Sequence, residues 1–329
     1  MPTREEYLRH RTEPIVVEPG LNTDELLRRM EKISFQGRQL ALAARTWETA
    51  LRSGGFVMMG LAGAMSAAGM RNLVSALIER GYIHCLVTTG ANLFHDVYES
   101  LGHYHFLGSP SANDEELFAH SIDRIYDTYA DEREFQNLDQ WIGRWATTKL
   151  EERPYTTREF IYELGREVDR AVGGRSPGIV STAARVKLPI YCPAIGDSSI
   201  GLGLALQKKN VFFDVIADVR ETGEMVVGKD TMVLYCGGGT PKNFIQQTEV
   251  SARLAHQETE GHRWAVQFIT DSPQWGGLSG CTFSEAVSWG KIDPAGDQVT
   301  VHCDTTIALP IVASAVMTRV PEPPRRAHP

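Results

Sequence analysis

The chain has 329 residues, 42% of them hydrophobic, enough for one large core or two smaller ones. With 33 Lys and Arg against 41 Asp and Glu the net charge is −8, which argues against a general nucleic-acid binder and suits a cationic ligand. The five Cys are scattered, odd in number and never in a C-x-x-C pair, so neither a disulfide framework nor a zinc site is expected, and a reducing compartment fits.

The opening MPTREEYLRHRTEP has no apolar h-region, so no secretory leader is expected. No run approaches the roughly 18 apolar residues of a membrane span, and a cytoplasmic setting follows as the expectation. Residues 1–22 read as a charged, turn-rich arm, and Asn22-Thr23 offers a cap for a helix over 24–51. FVMMG (56–60) reads as a buried strand and 64–81 as a helix, with Gly81 just past its end. IHCLVTT (83–89) is a second buried strand, followed by GAN and another helix start.

Residues 110–175 are more polar and helix-rich, with patterns at 114–128, 133–149 and 157–172, and read as a helical insertion. Strands are then expected at LPIYC (188–192), VFFDVI (211–216), TMVLYC (231–236), RWAVQFI (263–269) and VTVHC (299–303), with helices over 199–208, 242–254 and 307–318. Continuous apolar strands alternating with amphipathic helices predict an α/β domain over 23–319, a parallel sheet with helices on both faces. The Pro-rich tail, 320–329, is expected to be disordered.

In such a sheet, ligands bind beyond the carboxyl ends of the strands. The residues there are GLAGAMSAAG (60–69), TTGANLFHD (88–96), AIGDSSIG (194–201), CGGGTPKNF (236–244), ITDSPQWGGLSG (269–280) and CDTT (303–306). Any one of these loops is explained by turn formation. Six on one edge point to a nucleotide, whose phosphates need small residues and helix starts and whose ribose hydroxyls suit Asp. The GGG at 237–239 carries little alone, being no G-x-G-x-x-G. His95, His103 and His105 have no recognised ligand geometry, and no metal is expected. Lys291 is ambiguous on its own: a lysine near a helix is usually solvated, whereas a buried one can act as a nucleophilic amine.

Taken together, SEAVSWGKI (284–292), VTTGAN, PAIGDSSIG, CGGGTPKN and VHCDTT resemble the deoxyhypusine synthase family, over roughly residues 50 to 318. The resemblance implies a Rossmann-like NAD-binding domain and a homotetramer with active sites at the dimer interface. It also implies a reaction in which NAD oxidises spermidine, Lys291 takes the aminobutyl group as an imine, 1,3-diaminopropane leaves, and an acceptor amine receives the group. Burial beside Trp289 would favour the neutral amine that transimination needs. Glu285 and Trp289 match positions lining the polyamine pocket. Gly63, Ala64, Ser66, Thr89, Gly90, Asp197, Gly238, Thr270, Asp304 and Thr305 match NAD-binding positions.

Four positions depart from the eukaryotic and archaeal pattern. Where that pattern has acidic residues gripping spermidine, this chain has His95, Leu202 and the triplet Gly276-Gly277-Leu278; where it has a histidine after the GGG loop, this chain has Asn243. Asp96, Asp271 and Glu285 remain as counter-charges, Trp275 offers a cation–π face, and His95 offers an acid/base group or a packing residue. GANLFHD, GDSSIG, GGGTPKNF and GGLSG resemble a bacterial-type, deoxyhypusine synthase-like branch linked to homospermidine synthesis, with putrescine as acceptor. Homospermidine synthesis is therefore the expected activity, with a true deoxyhypusine synthase as the alternative. The intact Lys291 motif argues against a third possibility, a non-catalytic NAD or polyamine binder.

Overall fold

The computed structural model describes residues 3–174, 177–208 and 210–324. Its centre is a six-stranded, all-parallel sheet: β1 (Phe56–Leu61), β2 (Cys85–Thr88), β3 (Ile190–Tyr191), β4 (Thr231–Cys236), β5 (His262–Ile269) and β6 (Ile292–His302), in spatial order β6-β5-β4-β1-β2-β3. Burial on both faces explains why β1 and β4 are continuously apolar. Val57, Met59 and Leu61 face one core with Trp47 and the Thr305–Arg319 helix. Phe56 and Met58 face the other, with Ile245 and Phe283. The strand order is that of two halves wound outward in opposite directions from β1 and β4, which puts a crevice between the loops that follow those two strands.

Several elements differ from the sequence expectation. The stretch 24–51 is two helices, Thr23–Met30 and Phe35–Arg52, because Ser34 is extended and restarts the chain. VFFDVI gives no strand of the central sheet: only Phe212–Phe213 is extended, paired with Pro154–Tyr155 in a separate two-stranded sheet, and Asp214 caps the helix Val215–Val226 by accepting from the Ala217 N–H at 2.8 Å. The helix expected over 114–128 stops at Ala119. Left-handed Ser121 and Tyr126 then turn the chain into a hairpin, Ile122–Ile125 with Thr128–Asp131, which Phe106–Leu107 extends to three antiparallel strands.

At the carboxyl terminus Val320 is anchored rather than free: it is buried, and its carbonyl accepts the Tyr82 hydroxyl at 2.5 Å. Residues 325–329 of the expected disordered tail, and Met1 and Pro2 of the arm, lie outside the described residues. Residues 3–20 lie on the surface, tied to the next helix by Lys32–Glu13 and Arg29–Glu18 ion pairs. Among the described residues no helix is long and apolar enough to cross a membrane.

Candidate active site

The loops at the carboxyl edge are stitched to one another. The Thr89 hydroxyl donates to Gly63 O at 2.7 Å, and Ser66 engages Asn92 through both its N–H (3.0 Å) and its hydroxyl (2.8 Å). A Cβ on Gly90 would lie 2.3 Å from Ser198, next to exposed Asp197. A Cβ on Gly238 would lie 2.4 Å from the Ser279 Cα, while the Gly239 N–H donates to the Ser279 hydroxyl at 3.1 Å. Thr270 and Asp304 leave the paired ends of β5 and β6, Ile269 opposite His302. Asp304 caps the Thr305–Arg319 helix through the Thr306 N–H at 2.8 Å, and Thr305 is buried beside it.

This edge fits a dinucleotide. Backbone rather than side-chain bulk borders it, as the close approaches at Gly90 and Gly238 require. Helices start there at Gly90, Gly239 and Thr305, so three positive dipole ends face this edge, and Asp197 and Asp304 are exposed carboxylates. Gly63, Ala64, Ser66, Thr89, Gly90, Asp197, Gly238, Thr270, Asp304 and Thr305 all belong to this one edge.

Lys291 does not. Two parallel strands need a return crossover, and here it is short: Thr282 accepts from the Glu285 N–H at 3.0 Å to start the helix Phe283–Ser288, which runs back over the sheet. Lys291 is the last residue before β6, and its carbonyl accepts the His262 N–H at the start of β5 (3.1 Å). The turn before it is gripped from behind, where the Arg253 guanidinium donates to Trp289 O and Gly290 O, both at 2.7 Å. Gly290 is left-handed, and a Cβ there would meet Arg253 at 1.9 Å, so the glycine of the WGK run has a structural cause. The Lys291 Nζ lies 5.1 Å from the centre of the Trp289 ring. The burial expected from Trp289 is not provided within one chain: Trp289 is 63% exposed and Lys291 is half-buried.

The buried lysine is Lys242, which sequence reasoning passed over although it stands within CGGGTPKNF. It is 1% exposed, and burial lowers its pKa to about 8, with Glu285 opposing that shift and Lys291 adding to it. Its ammonium donates to Gln267 Oε1 (3.0 Å), Ser279 O (3.2 Å) and Cys281 O (2.5 Å). The Cys281 thiol, raised first by burial, also feels Lys242, Glu285 and Lys291. Two lysines, a glutamate and a thiol thus stand within electrostatic reach of one another around the Phe283–Ser288 helix. The only local signal was a lysine in the first turn of a helix after three glycines.

The other candidate substrate residues disperse. Asp96 is fully buried: it binds Arg71 Nε at 2.8 Å and accepts the Ile179 and Val180 N–H groups at 2.7 and 2.8 Å. It therefore fixes the start of a neighbouring helix and is no counter-charge for an amine. His95 is buried against Phe135, its Nδ1 2.9 Å from His105 Nε2, and His105 is 2.7 Å from Glu99. Burial, then the neighbouring His105, lower its pKa to about 4, so it packs as a neutral ring and the acid/base reading is set aside. Asn243 lines a cavity of about 240 Å³ with Val219, Thr222, Phe244 and Gln247, between two helices. Gly276 and Leu278 lie on an exposed loop with Trp275, which is 79% exposed. Glu285 is exposed one turn before Trp289.

Strand order, crevice and glycine-bordered edge define a doubly wound, dinucleotide-binding type of α/β protein. A model of the family described as deoxyhypusine synthase matches residues 25–316. "Probable deoxyhypusine synthase 2" of Methanosarcina mazei is 49% identical over 300 residues, covering 90% of this chain and 86% of that protein. A "Deoxyhypusine synthase-like protein" of Coxiella burnetii is 35% identical over 322 residues, covering 95% and 91%. In fold, the chain is similar to the crystal structure of a "putative deoxyhypusine synthase" from Entamoeba histolytica, with a TM-score of 0.60 at 13% identity over 94% of this chain and 97% of that one. The chain belongs to the deoxyhypusine synthase family, whose members are NAD-dependent aminobutyl transferases acting on spermidine.

Proposed function

We propose that this chain moves the aminobutyl group of spermidine onto putrescine, making homospermidine, with Lys291 as the covalent carrier. The observation that carries the choice of a small acceptor is that no carboxylate stands at His95, Leu202 or Gly276–Leu278. Of the positions that would hold spermidine tightly, His95 is packed away, Leu202 and Leu278 are exposed and apolar, and Glu285 is the carboxylate beside Lys291. Such a pocket holds amines through aromatic faces and the Glu285 charge, a grip that a small diamine acceptor can use as well as the spermidine donor.

NAD, when bound at the carboxyl edge, supplies the hydride acceptor and donor. The chain's own residues do the rest. Once the carbon beside spermidine's secondary amine has given up a hydride it is an imine carbon; the Lys291 Nζ adds to it, the C–N bond to 1,3-diaminopropane breaks, and the departing amine takes the proton that Nζ releases. The acceptor's amine then displaces Lys291 in the same way. Trp289 offers its face, and Glu285 its charge, to the ammonium groups involved.

We also propose that a second copy of the chain closes the site, in a homotetramer. Trp275, Leu278, Trp289 and Ile307 are all exposed, large apolar side chains that a partner surface would cover. Light scattering on the purified protein checks this, and a monomer at working concentration would rule it out. The arm (1–22), the catalytic domain (23–319, with its insertion at 110–175) and the tail (320–329) are proposed as its units.

Incubation with NAD, spermidine and putrescine should yield homospermidine by mass spectrometry. A protein with bound NAD that forms none sinks the choice of acceptor. The second reading, a deoxyhypusine synthase acting on a protein lysine, is favoured by the names of the archaeal relatives. Label passing from spermidine to an acceptor protein rather than to putrescine would establish it.

A further inference from the structure

The Lys242 ammonium sits where the glycine loop of the carboxyl edge meets the segment leading to Lys291. Its three N–H donors are matched by three acceptors, Gln267 Oε1, Ser279 O and Cys281 O. The Gln267 amide in turn donates to Gly237 O (3.2 Å) and Ser279 O (2.9 Å), and the Ser279 hydroxyl accepts the Gly239 N–H. One connected network therefore joins the Gly237–Gly239 turn to residues 279–281. From Cys281 the chain passes to Thr282, cap of the helix whose last turn leads into Lys291. A position needing only volume would carry an apolar side chain; a buried ammonium with every donor used is there for its donors.

We propose that Lys242 is a positioning residue that couples the glycine turn at the cofactor edge to the segment carrying Lys291, acting through Gln267, Ser279 and Cys281 rather than on the reacting atoms. The inference rests on the function proposed for Lys291 and the carboxyl edge. It makes occupancy of one end of the network felt at the other, and the effect is reciprocal.

The test labels Lys291 directly. Full-length protein is treated with butanal and cyanoborohydride, with and without NAD. The amine and the aldehyde condense with loss of water, and the reagent's hydride reduces the imine to a stable secondary amine. The peptide holding Lys291 is quantified by mass spectrometry, and NAD affinity is measured by calorimetry. In the unmodified protein NAD should change the rate of labelling by about fivefold or more. In Lys242→Met that ratio should fall close to one while labelling itself persists, and Lys242→Arg, which keeps charge and donors, should restore part of it. The ratio should also fall as pH rises through about 8, where Lys242 becomes a neutral amine with two donors for three acceptors. Gln267→Leu breaks the same network at a second residue and decides the matter if Lys242→Met does not fold. A ratio near one in the unmodified protein, or an unchanged ratio in Lys242→Met or in Gln267→Leu, overturns the coupling. Failure to bind NAD, or no label on Lys291 in the unmodified protein, overturns the proposed function and the coupling with it.

Discussion

The carboxyl edge of the sheet and the segment from Pro273 to Lys291 are built on opposite plans. The edge is made of small residues and backbone, cross-linked by Thr89, Ser66 and Asn92 within a single chain. The Pro273–Lys291 segment leaves two tryptophans and a leucine in solvent and rests on one buried lysine. The first surface is finished by its own fold, whereas the second leaves its apolar side chains uncovered within one chain. On the function proposed above, the half that would choose the amine is the half with room to change.

Four experiments break or sharpen that contrast. The largest effect is expected from Lys291→Ala: loss of aminobutyl transfer on the order of 10³-fold or more with NAD affinity nearly unchanged, read by product formation and calorimetry. Retained turnover would remove Lys291 from the chemistry. Next, Gly238→Val drives a side chain into the Ser279 backbone, and NAD affinity should fall by about tenfold or more, since roughly 1.4 kcal/mol of misfit already costs that factor. Unchanged affinity would separate the glycine triplet from the cofactor.

The third concerns acid. The pKa of His95 is depressed to about 4, so the unfolded chain binds more protons between there and its ordinary value near 6.5. Stability is then fully present above about 6.5 and is lost as pH falls toward 4, by up to about 3 kcal/mol. Thermal melts over that range should show the decline, and His95→Phe should flatten it; equal slopes in both proteins would deny His95 its buried neutral state. The smallest effect is expected from Trp275→Ser, which removes an exposed side chain. The melting temperature of the isolated chain should hold within a degree or two, about 0.5 kcal/mol, while self-association weakens in light scattering. A large loss of intrinsic stability would mean that Trp275 already packs within its own chain.

The parallel strands were legible because burial on both faces leaves an unbroken apolar run, as in TMVLYC. The edge loops were legible because close backbone approach leaves glycines in the sequence. VFFDVI was misleading for the same reason that it was tempting: apolar and β-branched, it lacks only a neighbour in the central sheet, and Asp214 turns its second half into a helix start. Asp96 and His95 follow a site loop in sequence, but they sit on a helix whose buried faces turn toward Val180 and Phe135. Lys242 was illegible because its partners lie 25, 37 and 39 residues away, and no local pattern records contacts at that range.

The grip of Arg253 on Gly290 has a consequence for what evolution can edit. The Gly239–Leu254 helix begins at the glycine turn and ends, by way of Arg253, on the turn that presents Lys291. It therefore works as a measuring rod of about 20 Å between the two. Substitutions along its outer side leave the length alone. A single inserted residue rotates everything beyond it by about 100°, swinging Arg253 away from Gly290. Drift in composition is cheap in this helix, and drift in residue count is not, so relatives that differ freely elsewhere should hold the interval from Gly238 to Arg253 constant.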